Sequence, residues 1–320
     1  MKIKLSIQSL IGGLFLFGVS SGFAQNWPDK PIKIIVPFAA GGGVDNITRI
    51  VVPHLAKRLN QIVLIENRPG GSANIGSDMV AKAAPDGYIL LMGATHLAFN
   101  RAAMKSVPFD SSVDLVPVAR TAKAPFILAT SATLGPKNVA ELVAYMKANP
   151  DKAAYGAVSA GAPANLIFVR NTGTTPVQVI YKSGYAIVPD LISNRVTFVI
   201  QTASEVLPHV SSGKLKALAV SGNERFKALP NVPTMGQAGV ANLDFTGWWG
   251  LFAPAKTPAA IVNRLSAEIQ VIMKMPDVIA AVNTLGNEPA PLSATEFTDF
   301  FKSELNAYTS MVREFKIVAE

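Results

Sequence analysis

Cysteine is absent from all 320 residues. That excludes disulfides, a cysteine nucleophile, thiolate metal ligation and lipid attachment to a cysteine. Histidine is scarce, with only His54, His96 and His209, and no two stand at metal-ligand spacing. Charged residues make up 16% of the chain. The basic ones are scattered, without a Lys/Arg block or interleaved aromatics, which argues against nucleic-acid binding. The sequence has no G-x-S-x-G elbow, no H-E-x-x-H and no Walker pattern. Gly41-Gly42-Gly43-Val44-Asp45-Asn46 lacks the last glycine of a dinucleotide fingerprint. No metal or cofactor is therefore expected.

The opening residues read as an export signal. Lys2 and Lys4 form a basic start, Leu10 to Val19 an apolar run, and Gly22-Phe23-Ala24 a small-residue cleavage site before Gln25. The apolar run is short for a bilayer span, which needs roughly 20 residues. Residues 1–24 are thus expected to be removed, placing the mature protein in the periplasm. Removal lowers the formal charge from the +8 of the full chain by two lysines. A chain of this length suggests two domains held by core burial alone.

Along the mature chain, Ile32 to Phe38 is a strand ended by Pro37. Ile47, Ile50, Val51, Leu55 and Leu59 then share a helix face, with Pro53 expected to kink or divide the helix. Strand, helix and strand follow at Ile62–Ile65, Ile75–Ala83 and Tyr88–Met92, predicting a mostly parallel sheet with helices on its faces. Further strands are read at Phe126–Ala129, Val177–Ile180, Val196–Ile200 and Leu215–Val220, with a helix around Val139–Met146. Thr257-Pro258 reads as a cap and first-turn proline. Ser293-Ala294-Thr295-Glu296 reads as a capping box before an apolar stripe from Phe297 to Phe315.

Three loops are candidates for binding. The Gly41-Gly42-Gly43 turn leads from a strand into a helix, where unpaired N–H groups and a partial positive charge favour an anion. Asp45, read as the N-cap, would consume one of those donors. Ser159-Ala160-Gly161-Ala162 has the same small, polar character, and Gly93 to His96 ends the third strand, where ligands of open α/β sheets sit.

The chain resembles a known family on a series of segments in one order. These include Val36-Pro37-Phe38-Ala39-Ala40-Gly41-Gly42-Gly43-Val44-Asp45, Glu66-Asn67-Arg68-Pro69-Gly70-Gly71 and Ala84-Pro85-Asp86-Gly87-Tyr88. Later come Asp114-Leu115-Val116-Pro117-Val118, Gly213 to Val220, Leu229 to Thr234 and Gly250 to Ala255. The resemblance is to substrate-binding receptors of tripartite tricarboxylate transporters, the Bug or TctC-like family. It implies a periplasmic-binding-protein-like α/β fold, two α/β domains with a ligand cleft between them. On that pattern residues 25–123 and 240–320 form domain 1 and residues 124–239 domain 2, with crossings near 121–125 and 237–247. It also implies a small organic carboxylate held largely by backbone groups and passed to inner-membrane transporter subunits by a monomer. Carried onto this chain, the contacts are Phe38, Ala39, Gly42, Gly43, Asp45, Thr95 and His96 from domain 1. Ser159, Gly161, Asn165, Gln201 and Thr202 face them from domain 2, with Trp248 beside the second crossing.

Departures from the family pattern cluster in the second domain. Asn165 stands where His is common, Gln201 replaces an acid, and Tyr181-Lys182-Ser183-Gly184-Tyr185 replaces Tyr-Lys-Gly. Phe168 to Pro176 reads as a shortened, poor helix. The alternatives are an exported α/β enzyme acting on a carboxylate through Asp45, His96 and Ser159, a ligand sensor feeding a signalling partner, or a membrane-associated scaffold if residues 1–24 stay attached. A non-enzymatic receptor is the expected function.

Overall fold

The structure is a computed structural model that describes residues 27–158, 163–181 and 183–317. The expected export signal lies outside the described residues. No described helix is long and apolar enough to cross a membrane.

One sheet is built from β1 (Ile32–Val36), β2 (Val63–Asn67), β3 (Ile89–Ala94), β4 (Leu115–Ala124), β10 (Gly247–Pro254) and β11 (Glu288–Leu292), ordered β11-β4-β10-β3-β1-β2. The other contains β5 (Phe126–Ser131), β6 (Ala154–Ala157), β7 (Val177–Ile180), β8 (Phe198–Thr202) and β9 (Leu215–Val220), ordered β7-β6-β8-β5-β9. The helices are α1 (Gly43–Leu59), α2 (Asn74–Ala81), α3 (His96–Ala103), α4 (Val139–Ala148) and α5 (Pro163–Thr172). They continue as α6 (Gly184–Ile192), α7 (Ala203–Ser211), α8 (Ala259–Ile272), α9 (Pro276–Thr284) and α10 (Ala294–Glu314).

The expectation of a mostly parallel sheet needs correction. In the first sheet β1 pairs in parallel with β2 and β3, but β10 lies antiparallel between β3 and β4, and β11 is antiparallel to β4. In the second, β6 pairs in parallel with β7 and β8, while β5 lies antiparallel between β8 and β9. Each inserted, reversed strand is the one that enters from the other sheet. The chain leaves β4 and enters β5 across Pro125, and it returns to β10 after β9. A strand arriving from outside completes its sheet without a crossover helix, so it runs against its neighbours.

Buried on both faces, β10 is enclosed at all eight positions, Gly247 to Pro254. Its Trp248 packs edge-on against Phe297, Phe300 and Phe301 of α10, with ring centroids 5.6–5.9 Å apart. Each such aromatic pair adds about 1 kcal/mol beyond its area burial. The apolar stripe of α10 is therefore core. Its start is the capping box read from the sequence, with Ser293 and Glu296 bonding each other's backbone N–H.

Two local readings change. Pro53 lies within α1 without dividing it, because the seventeen-residue helix has a buried apolar face on both sides of the proline. Thr257 does not cap α8: the N-cap is Pro258, and the buried Thr257 hydroxyl has no partner among the described residues. In the stretch read as a shortened helix, α5 stops at Thr172, four residues before Pro176, and Gly173 at φ +59° ends it in the left-handed region that glycine tolerates.

Candidate functional site

A cavity of about 540 Å³ lies between the two sheets. Its position follows from the topology. The co-directional strands β1, β2, β3, β6, β7 and β8 each lead into a helix, in order α1, α2, α3, α5, α6 and α7. The start of every one of these helices lines the cavity: Gly42 and Gly43, Ala73, Thr95 and His96, Pro163, Ser183 and Gly184, and Thr202. Helices α4, α8 and α10 follow the reversed strands β5, β10 and β11, and their starts are absent from the lining.

A helix start carries roughly half a positive charge and leaves its first N–H groups unpaired. In α1, α2, α3 and α7 no side chain caps those groups. At α6, by contrast, the Ser183 hydroxyl accepts from Ala186 N–H, as Asn138 and Ser293 cap α4 and α10 away from the cavity. Among the described lining residues there is no lysine or arginine. Positive potential in the cavity thus comes from backbone rather than from side chains.

The first-domain wall is held from beneath. Gly41 turns the chain at φ +81°, a conformation that suits glycine. Asp45 is not the N-cap of α1, which is Gly42; it sits in the first turn, 1% exposed and outside the cavity lining. Its carboxylate accepts from Gly41 N–H at 2.8 Å, Arg49 Nε at 2.7 Å and Asn67 Nδ2 at 2.9 Å. Burial raises the pKa of Asp45, but these three donors outweigh it and hold the group below the usual carboxylate range. The turn that faces the cavity is therefore pinned by a charge spent elsewhere.

His96 stands beside Phe38, ring edge to face at 5.1 Å. Its tautomer follows from its neighbours. The Ser77 hydroxyl donates to the Ala73 carbonyl at 2.8 Å, so its oxygen is left to accept from His96 Nε2–H at 3.0 Å. Nδ1 is then a bare acceptor, buried and without a partner among the described residues. Burial pushes the His96 pKa down to about 3, so the ring is neutral at physiological pH.

On the second-domain wall, Asn165 lines the cavity but both ends of its amide are engaged by Ile200, Oδ1 accepting from N–H at 3.1 Å and Nδ2 donating to C=O at 3.5 Å. Gln201 and Thr202 follow at the end of β8, with Gln201 7% exposed. Thr202 Oγ1 donates to Glu205 Oε2 at 3.1 Å. Glu205, 8% exposed, lines the cavity, and burial raises its pKa to about 7 although Thr202 pulls it down. The walls meet at one side, where Asn46 Nδ2 donates to Tyr185 Oη at 3.2 Å and Tyr185 donates to the Ser204 carbonyl at 3.3 Å.

Of the expected site residues, Phe38, Ala39, Gly42, Gly43, Thr95, His96, Asn165, Gln201, Thr202 and Trp248 all line the cavity. Asp45 does not, and Ser159 and Gly161 lie outside the described residues. The start of α2 and Glu205 went unread, and Gly184 was named only within the departure Tyr181 to Tyr185. Thr202-Ala203-Ser204-Glu205 does carry a signal, since Thr-x-x-Glu after a strand is a capping pattern that places the acid at a helix start.

Two open α/β sheets joined by crossing strands, with a cleft at the carboxyl ends of their co-directional strands, define a periplasmic-binding-protein-like fold. A malate-bound structure of MatC from Rhodopseudomonas palustris superposes with a TM-score of 0.83 at 26% identity, covering 89% of this chain and 100% of that one. An R. palustris protein solved with adipate gives 0.86 at 27% identity, covering 92% and 99%. Protein BugT of Bordetella pertussis is 31% identical over 97% of this chain and 98% of its own length. The family model for the tripartite tricarboxylate transporter family receptor matches residues 47–317. The chain belongs to that receptor family.

Proposed function

We propose that this protein is a periplasmic solute-binding receptor that captures a small organic carboxylate and delivers it, chemically unchanged, to a tripartite tricarboxylate-type membrane transporter. The observation that carries the reading is the convergence of six helix starts on one cavity lined by no described lysine or arginine. Backbone N–H groups at helix starts suit a carboxylate in the way they suit a phosphate. Similarity to proteins solved with adipate and malate supports the same ligand class. Binding at the junction of residues 25–123 and 240–320 with residues 124–239 lets the two walls close on the ligand, a change that a membrane partner can read. Export by residues 1–24 places a monomeric receptor in the periplasm.

The enzyme alternative finds less support. Asp45 is spent on Arg49, Asn67 and Gly41, and His96 Nε2 on Ser77. Neither is poised as a general base toward a nucleophile among the described residues.

The test is a thermal-shift and calorimetric screen of residues 25–320 against small carboxylates and their neutral amides. A ligand at a hundred times its Kd adds about 2.7 kcal/mol of stability. A response to acids and not amides is the expected result. Turnover of a bound acid, or no response from folded protein, sinks the reading. Loss of uptake of the identified acid on deletion of the gene tests the delivery step.

A further inference from the structure

The cavity is electrically lopsided, and one residue makes it so. Each wall has an acid in the first turn of a cavity-facing helix, Asp45 in α1 and Glu205 in α7. Asp45 is outside the lining and paired with Arg49 at 2.7 Å. Glu205 is in the lining, and no lysine or arginine among the described residues pairs with it. A Cβ on Gly184 would overlap the Glu205 carboxyl, so that carboxyl lies directly on the start of α6. It also accepts from Thr202 Oγ1. Glu205 therefore sets a carboxyl against the start of α6 and takes the Thr202 hydroxyl at the start of α7, where a ligand anion would otherwise sit. What Glu205 adds at this end of the cavity is acceptor capacity. The uncompensated donors are at the starts of α1, α2 and α3, which carry no side-chain cap.

We propose that Glu205 is a specificity-determining residue that selects carboxylates whose far end carries a hydrogen-bond donor, an ammonium above all, over dicarboxylates of the same length. The ligand carboxylate takes the first-domain helix starts, and the donor at its other end meets Glu205. A second carboxylate there faces a like charge in a water-poor site, which costs affinity. The inference rests on the receptor reading above.

The groups around Glu205 leave its own charge in control. Tyr185 of α6 is the titratable neighbour, and burial and the Glu205 charge hold its phenol above the ordinary range, so it stays neutral. Thr202, Ser204 and the Gly43 turn across the cleft carry no ionisable side chain. Burial places the Glu205 pKa at about 7.

Adipate and ε-aminocaproate have nearly the same length and differ at one end, so they serve as probes. Both are titrated into the mature protein by calorimetry, one pH unit above and one below the Glu205 value, with wild type and Glu205→Gln. Wild type at the higher pH is expected to favour ε-aminocaproate by about tenfold or more, the equivalent of about 1.4 kcal/mol. Acidification is expected to shrink that ratio, because a protonated Glu205 no longer repels a second carboxylate. Glu205→Gln should bring the two probes to within about threefold of each other and remove the pH dependence, with the Gln variant correcting for titration of the ligands themselves. A ratio that Gln substitution and pH both leave unchanged overturns the role of Glu205 while the receptor reading stands. If the variant does not fold, the wild-type pH series decides alone. Failure of wild type to bind any carboxylate, these probes included, overturns both.

Discussion

Gly43 sits where the first-domain turn meets the second domain. A Cβ there would come within 3.0 Å of Ser204 Oγ, with Trp249 Cζ2 at 3.5 Å and Thr202 Oγ1 at 3.6 Å. Its backbone is not in the left-handed region, so a larger residue folds locally but has no room across the cleft. Gly43→Val is expected to weaken carboxylate binding at least a hundredfold, about 2.7 kcal/mol, with little change in circular dichroism. Retained affinity removes this turn from the site. Glu205 supplies a second prediction at this scale. Its folded pKa is raised from 4.5 to about 7, so between those values the folded protein holds a proton that the unfolded chain has lost. Stability of the ligand-free protein should fall as pH rises through that window and level off above it, by at most about 3 kcal/mol from this group. Urea unfolding of Glu205→Gln across the same window should show a shallower slope; equal slopes assign the pH dependence to other groups. Ten of the thirteen residues expected at the site line the cavity. Asp45 was legible as an acid at a helix start, but not as one turned beneath the loop, since Arg49 and Asn67 are brought to it by folding.

Among elements, the decisive property is direction. Helices after co-directional strands bring their starts to the cavity, and helices after reversed strands do not. Ser293, at the start of α10 and away from the cavity, accepts from Glu296 N–H. Ser293→Ala should cost about 1 kcal/mol of unfolding free energy and leave ligand affinity unchanged. A loss of affinity without loss of stability would mean that α10 reports on the cavity after all. The strands β1, β3, β5 and β9, and the helices α1 and α4, were readable from apolar periodicity alone. The strands β4 and β10 were matched only as family text. Buried on both faces, β10 lacks the alternation that marks a half-exposed strand, and its two tryptophans and two glycines carry no period.

At the level of the whole molecule, two domains share one cavity and each supplies helix starts to it. Tyr185 and Asn46 join the walls through a single hydrogen bond of 3.2 Å. Tyr185→Phe removes that contact and the bond to Ser204, and should raise Kd by roughly three- to tenfold, about 1 kcal/mol. Small-angle scattering of the ligand-free variant should show a larger radius of gyration than wild type. An unchanged radius and Kd would assign closure to other contacts.

The sequence by itself determined the periodic elements, the glycine turn after β1, the capping box of α10 and, through its ordered segments, the receptor family. These are local properties, set by backbone freedom, side-chain spacing and hydrogen bonds within a few residues. Tertiary structure alone decided that β5 and β10 run reversed, that six helix starts therefore point into one space, and that Glu205 rather than Asp45 carries its charge there. Charge on a side chain is written in the sequence. Whether that charge meets a cation, a helix start or a ligand depends on which distant segments fold against it.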